Sequence, residues 1–241
     1  MPDIKSVGVL AYHHCSESDT IIPWEILTGV KVYLETEKKK GPLDVKLVAL
    51  KPGMVEMQMG SHVEPHAVLG DELYDLFYVP GGRGSGPATK DPVILGAIKR
   101  HYDNGKFLAA NCVGVGILQR AGVLGKTPIT CSPPVYRRLK EEGANVADPR
   151  PMWLGAPEAR IWTTAGASAI NAGTVAMVNY LFGDEIGHEM SMWFDTRGET
   201  GYQLFERRGR EYYGYPAAEA KIQDETADIL LPPLPAMAHH R

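Results

Sequence analysis

A cysteine placed where a buried strand turns into a helix is well set to act as a nucleophile, and Cys112 stands at such a place. In the stretch KFLAANCVGVGILQRAGVL (Lys106–Leu124), the apolar run Phe107–Ala110 stops at Asn111–Cys112. Small and apolar residues then recur at helical spacing. Gly114 and Gly116 follow closely, so backbone can crowd there without Cβ clashes. A tight turn of this kind projects its side chain above the sheet and aims the first helical N–H groups at whatever the side chain attacks. The positive end of the helix dipole favours thiolate over thiol. The same stretch also suits a small buried hydrophobe, since free cysteine is among the most buried residue types.

A nucleophilic thiol needs a proton partner, and Asp19 sits in the right topological place. It follows the strand-like run Ser6–Tyr12 and the polar loop His13–Ser18, close to the edge of the sheet where open α/β proteins bind ligands. A carboxyl group facing a thiolate in a part-buried pocket tends to hold a proton, hydrogen-bond the sulfur and later pass that proton on. Asp19 is equally suited to cap the helix DTIIPWEILTGVKVYLETEKK, as is Thr20, and Pro23 is tolerable only in that helix's first turn. Trp24, in the same turn, reads as a pocket wall or as packing against the core. His13 and His14 beside Cys15 invite a metal reading. Neighbouring side chains on an extended segment point to opposite sides, however, and no second ligand pair has metal spacing, so no metal is expected. Cys15 and Cys131 read as buried or incidental thiols. The loop PGGRGSGPATKDP lacks both GxxxxGK[ST] and an ordered GxGxxG, so its backbone is expected to line a pocket rather than cradle a nucleotide. No cofactor is implied.

The elements that position these residues alternate. Strands are predicted at Ser6–Tyr12, Val45–Leu50, Leu76–Val79, Phe107–Ala110 and Thr127–Cys131, with a small hairpin in Met54–Leu69 and another in Trp153–Thr164. Helices are predicted after Asp19, at Asp91–Tyr102, at Val135–Glu142 and at Thr174–Phe182. This order favours an α/β fold with a doubly wound, mostly parallel sheet sandwiched by helices and a β-hairpin embellishment. Residues 1–183 form that domain. Residues 184–241 form an extension, with a helix at Glu185–Phe194 and irregular segments (FERRGREYYGYP, LLPPLPAMAHH) that pack on the domain or on a partner subunit. The 241 residues are 44% hydrophobic and 22% charged, an ordinary globular balance. A net charge of -4 gives no reason to expect nucleic acid or an anionic membrane as partner. Three cysteines without paired spacing suggest a reducing compartment, and no run approaches the roughly 20 apolar residues of a membrane span, so a cytoplasmic location is expected.

Taken together, the motifs resemble those of the ThiJ/PfpI superfamily, especially its isonitrile (isocyanide) hydratase branch. Cys112, Gly114, Leu118, Ala121, Gly122 and Leu124 match its nucleophile-elbow pattern. FYVPGGRGSG resembles its strand followed by Pro-Gly-Gly, DTIIPWEIL its acidic helix, and TTAGASAINAG the approach to its last core helix. The resemblance implies a flavodoxin-like sandwich, usually a homodimer, acting on a small-molecule substrate. It makes Cys112 the nucleophile and Asp19 the acid that faces it, with an oxyanion pocket mapping onto the backbone N–H groups of Gly82 and Val113. It further implies isonitrile hydration to an N-substituted formamide through a Cys112 thioimidate.

Two positions depart from the family. Family proteases carry His directly after the cysteine, and the hydratase a Thr; here it is Val113. The glyoxalase and deglycase branch has His where TCSPP places Ser132, and the hydratase branch usually has one there too; Ser132 is a second candidate for the substrate pocket. Two rival readings keep Cys112: a glyoxalase-type conversion of a 2-oxoaldehyde to a hydroxy acid, and a non-catalytic redox-sensing or stress-protective role.

Overall fold

The computed structural model describes residues 2–37, 42–194 and 216–234. Its sheet begins with β1 (Ser6–Ala11), followed by the long helix α1 (Glu17–Thr36) and β2 (Asp44–Ala49). Short strands β3 (Val55–Glu56) and β4 (His62–Val63) form an antiparallel hairpin, and β5 (Ala67–Val68) returns to the sheet beside β2. Then come β6 (Leu76–Val79), the single turn α2 (Ser85–Ala88), α3 (Pro92–Asp103), β7 (Phe107–Asn111) and α4 (Val115–Arg120). The chain continues through α5 (Pro133–Glu141), the hairpin β8 (Trp153–Ala156) and β9 (Ile161–Thr164), α6 (Ala167–Phe182), α7 (Asp184–Trp193) and α8 (Pro216–Leu230).

The sheet has seven strands in the order β5-β2-β1-β6-β7-β9-β8, all parallel except β8, which runs antiparallel to β9. Strands with both faces covered read as continuous apolar runs, and the runs LFYV and FLAAN sit at the centre. Successive residues serve opposite faces. Phe77 and Leu108 join Ile98, Ile117 and Leu139 under α3, α4 and α5. Tyr78 and Ala109 join Leu27, Met177 and Leu181 under α1 and α6. The fold is the doubly wound α/β sandwich expected from the order of elements, with both predicted hairpins in place.

Three local expectations are corrected. Thr127–Cys131 forms no strand beyond a single bridge of Ile129 with Val146. Pro128 has no N–H to offer a ladder, the Thr130 N–H goes to the Thr163 hydroxyl at 3.0 Å, and the Thr130 hydroxyl goes to the Pro151 carbonyl at 2.6 Å. Pro23 lies in the second turn of α1 rather than the first, since the cap is Ser16. The extension is more regular than expected: α7 adds Ile186 and Met190 to the core under α6, and α8 is a regular helix. The segment AAEAKIQDETADIL, opened by Pro216 and closed by Pro232–Pro233, carries that helical signal. Most of FERRGREYYGYP and the terminal AMAHH lie outside the described residues.

Helix α8 docks on α5 and on α2. Arg138, with a side chain 2% exposed, donates to the Leu231 carbonyl at 3.0 Å and pairs with Asp228. Arg120 joins Glu142 and donates to the Pro232 carbonyl. The Ser85 hydroxyl donates to the Leu230 carbonyl at 2.8 Å, and Gly86 lies so close that a Cβ there would fall on the Ile229 carbonyl oxygen. Gly86→Ala therefore overpacks this contact, at about 1–3 kcal/mol. The docked population of α8 should fall roughly fivefold or more. Limited trypsin digestion at Lys221 should quicken accordingly, while thermal unfolding of the sheet changes little. Unchanged cleavage would show that α8 does not depend on this contact.

Candidate functional site

The strand-to-helix turn after β7 is strained in a specific way. Asn111 is extended (φ −128°, ψ 160°), and Cys112 then takes φ +55° before a single 3-10 turn, Cys112–Gly114, leads into α4. A non-glycine residue held in the left-handed region costs about 1–3 kcal/mol and persists only where its surroundings over-determine it. Here Gly114 packs on the neighbouring strand's end so tightly that a Cβ would come 2.6 Å from the carbonyl oxygens of both Val79 and Pro80. The turn is thereby pressed against β6, and the Cys112 side chain is left part-exposed.

Asp19 reaches the same place from α1. Ser16, not Asp19, caps that helix: its hydroxyl accepts from the Asp19 N–H at 3.4 Å. Asp19 is the third residue of the helix and is 1% exposed. Its Oδ2 accepts the Gly81 N–H at 3.1 Å. Burial raises its pKa from 3.8 to about 6, against the opposing pull of hydrogen bonds from Cys112, the Gly81 N–H and Ser16.

Gly81 is the surface on which the pieces meet. A Cβ at Gly81 would lie 2.6 Å from Asp19 Oδ2, 2.9 Å from the Val113 nitrogen and 3.0 Å from Cys112 Cβ. Only a residue without a side chain leaves the carboxyl and the thiol in contact. The thiol is not held low, as the helix terminus alone predicts. Burial pushes it well above the ordinary cysteine range and the Asp19 carboxylate pushes it further. The Ser132 hydroxyl and the Val113 N–H pull in the opposite direction. The proton of the pair therefore rests on sulfur at neutral pH, with the carboxylate as its acceptor.

The other predicted residues divide. Gly82 takes φ +117°, and a Cβ would collide with the Ser16 nitrogen and the backbone of His14 and Cys15. Among the described residues its N–H has no partner. Val113 directs its N–H at the Cys112 sulfur. Ser132 is 4% exposed; its hydroxyl is near enough to pull the thiol pKa down but has no hydrogen-bond partner among the described residues. Trp24 lies elsewhere: five residues after Asp19 is about 140° around a helix. Its ring packs over His66 at 5.7 Å, and its buried indole nitrogen has no partner. His13 and His14 are exposed, and among the described residues no three metal-ligating side chains converge. In the glycine loop, the Gly81 N–H is given to Asp19 and Asn111. Asn111 escaped the sequence reading, although a polar residue ending the apolar run FLAA was its signal. It is fully buried and bonded to both Asp19 and Gly81.

Cys15 and Cys131 are 0% exposed, which leaves Cys112 as the accessible thiol of the three. Brief iodoacetamide treatment followed by mass spectrometry should label Cys112 first. The pH midpoint of that labelling should lie above the ordinary value of about 8.5. Preferential labelling of Cys15 or Cys131, or a midpoint below about 7, would contradict the geometry described.

The sequence was compared with known proteins. No curated protein matches it. The DJ-1/PfpI family model matches residues 5–174. Among solved structures, a ThiJ/PfpI family protein from Pseudomonas syringae superposes with a TM-score of 0.73 at 18% identity, over 95% of this chain and 88% of that one. Drosophila melanogaster DJ-1beta gives 0.67 at 18% identity, over 79% and 97% of the two chains. VC2308 protein gives 0.69 at 19%, over 82% and 96%. At these identities the likeness carries the fold alone, and the family model carries the assignment: the chain belongs to the DJ-1/PfpI family.

Proposed function

We propose that this protein is a cofactor-independent, cysteine-dependent hydratase for small electrophiles, with isonitriles as the substrate class. The observation that carries the reading is a buried carboxyl, its pKa raised to about 6, in contact with a thiol at a strained strand-to-helix turn. As the Cys112 sulfur bonds to the terminal isonitrile carbon, Asp19 takes the thiol proton and delivers it to that same carbon. The product is a thioimidate, R–N=CH–S. Water then adds to the carbon and a proton passes to nitrogen, again by way of Asp19. The C–S bond breaks with its electron pair returning to sulfur, the hydroxyl proton goes back to the thiol, and an N-substituted formamide leaves. The N–H groups of Gly82 and Val113 are the donors available to charge that develops during addition.

The two rivals are less well supported. The glyoxalase-type reading has the weaker motif support, since the turn around Cys112 resembles the hydratase branch most. Redox sensing gives no role to a proton carrier, whereas the buried Asp19 carboxyl acts on the Cys112 sulfur. The proposed assembly is a homodimer, as the family resemblance implies.

Purified protein should convert alkyl and aryl isonitriles to formamides, with methylglyoxal as the competing substrate and Cys112→Ala as the inactive control. Turnover of methylglyoxal alone would replace the hydratase reading. Asp19→Asn keeps the shape but cannot carry a proton, so activity should fall by roughly 100-fold or more. Its stability should move the other way. An Asp with a raised folded pKa contributes its full stability below pH 3.8 and loses it as pH rises through about 6. A shift of about two units amounts to about 3 kcal/mol, which the neutral Asn regains at pH 7. An active Asp19→Asn protein would remove the proton-transfer role. Ser132→Ala should retain most activity, since a hydroxyl is a poor base near neutrality; a loss beyond roughly 100-fold would give the serine a role in proton transfer.

A further inference from the structure

Asn111, the residue before Cys112, is fully buried, and its amide joins three segments. Its Nδ2 donates to the Asp19 backbone carbonyl at 3.0 Å, and its Oδ1 accepts the Gly81 N–H at 3.2 Å. That same Gly81 N–H lies 3.1 Å from Asp19 Oδ2, so it is shared between the two acceptors. The Asp19 carbonyl is available for a reason written in the sequence. The helix partner of that carbonyl would be the N–H four residues on, and position 23 is proline, which has none. A buried carbonyl left without a donor is costly, and the Asn111 amide fills the gap that Pro23 opens.

We infer that Asn111 is a positioning residue that acts through Asp19: its amide substitutes for the helix hydrogen bond missing at Pro23 and holds the Asp19 carboxyl and Gly81 against Cys112. This rests on the reading of Cys112 and Asp19 as the reacting pair. The amide is attached to the residue next to the nucleophile, so any movement of α1 relative to the turn must stretch one of its two bonds. The other titratable groups around the pair are Tyr12, Cys15 and Tyr78, all held protonated by burial, and Glu17. The Glu17 carboxylate is turned to the Met59 N–H and the Ser61 hydroxyl. Among these groups none competes with Asp19 for control of the thiol near neutral pH.

The test is the pH profile of Cys112 alkylation by iodoacetamide in the full chain, which requires no substrate. Releasing the carboxylate from the sulfur lets the thiol ionise more readily. Asn111→Ala should therefore lower the labelling midpoint by about one pH unit, roughly tenfold more thiolate at a fixed pH below it. Asn111→Leu, which fills the space without either bond, should do the same. In an Asp19→Asn background, Asn111→Ala should cause no further shift, because a residue that acts through Asp19 has nothing left to act on. Midpoints equal to the parent in both folded variants would overturn the inference. So would a shift that persists undiminished in the Asp19→Asn background. Failure of both variants to fold would make the amide a folding element and also overturn it. If isonitriles are not turned over but the midpoints shift as described, the hydratase reading falls and the positioning role stands.

Discussion

The contact between the Asp19 carboxyl and the Cys112 thiol is the constraint on which the rest of the site depends. Two acidic groups in a poorly solvated space cannot both ionise, so they hold one proton between them. That state exists only because nothing else occupies the space. Gly81 supplies a wall with no side chain, Gly114 lets the turn press against β6, and Gly82 lets the loop pass over the backbone of His14–Ser16. Each glycine answers to a measurable collision rather than to flexibility.

Topology explains why three segments so far apart in sequence converge. The strands β1, β6 and β7 are neighbours in the sheet and run parallel, so their C-terminal ends lie side by side. The connection after β1 carries Asp19, the one after β6 carries Gly81 and Gly82, and the one after β7 carries Cys112. A parallel sheet places every such connection on one edge, which is why ligand sites of open α/β folds gather there. The adjacency of Val79 and Ala110 at the ends of β6 and β7 sets how closely the last two approach.

Much of this was legible in the sequence, and the exceptions share a cause. Apolar runs such as LFYV and FLAA, broken by glycine or by polar residues, identified the central strands to within a residue or two. Asp91 before Pro92 marked the start of α3 correctly, because its carboxylate bonds the Val93 and Ile94 N–H groups as caps do. The pairing of Asp19 with Cys112 was legible from topology, but its electrostatics were not. A helix terminus argues for a low thiol pKa, whereas burial and an opposed carboxylate outweigh it, and neither can be read before the three loops are assembled. Of the two readings of Trp24, packing against the core is the one observed, because five helical residues turn its side chain away from that of Asp19. Asn111 was missed because a side-chain amide declares its use only when both partners are in place.

Among the described residues no imidazole stands beside the sulfur, so proton transfer there falls to Asp19. With Ser132 and Val113 as neighbours of the sulfur, Asp19 is, among the described residues, the group beside the thiol that can both accept and return a proton near neutrality. A reaction served by one carrier must take each proton from sulfur or water and return it within reach of the same carboxyl. Addition across a terminal isonitrile carbon meets that condition, because sulfur and proton are added to the same atom. Rearrangement of a 2-oxoaldehyde asks more of the same carboxyl, which must take a proton from one carbon and return it to its neighbour. A carboxyl poised near pH 6 can take up and return a proton close to neutrality. The proposed substrate class thus rests on the motif resemblance around Cys112, and the geometry adds a carboxyl placed to carry protons to and from that cysteine.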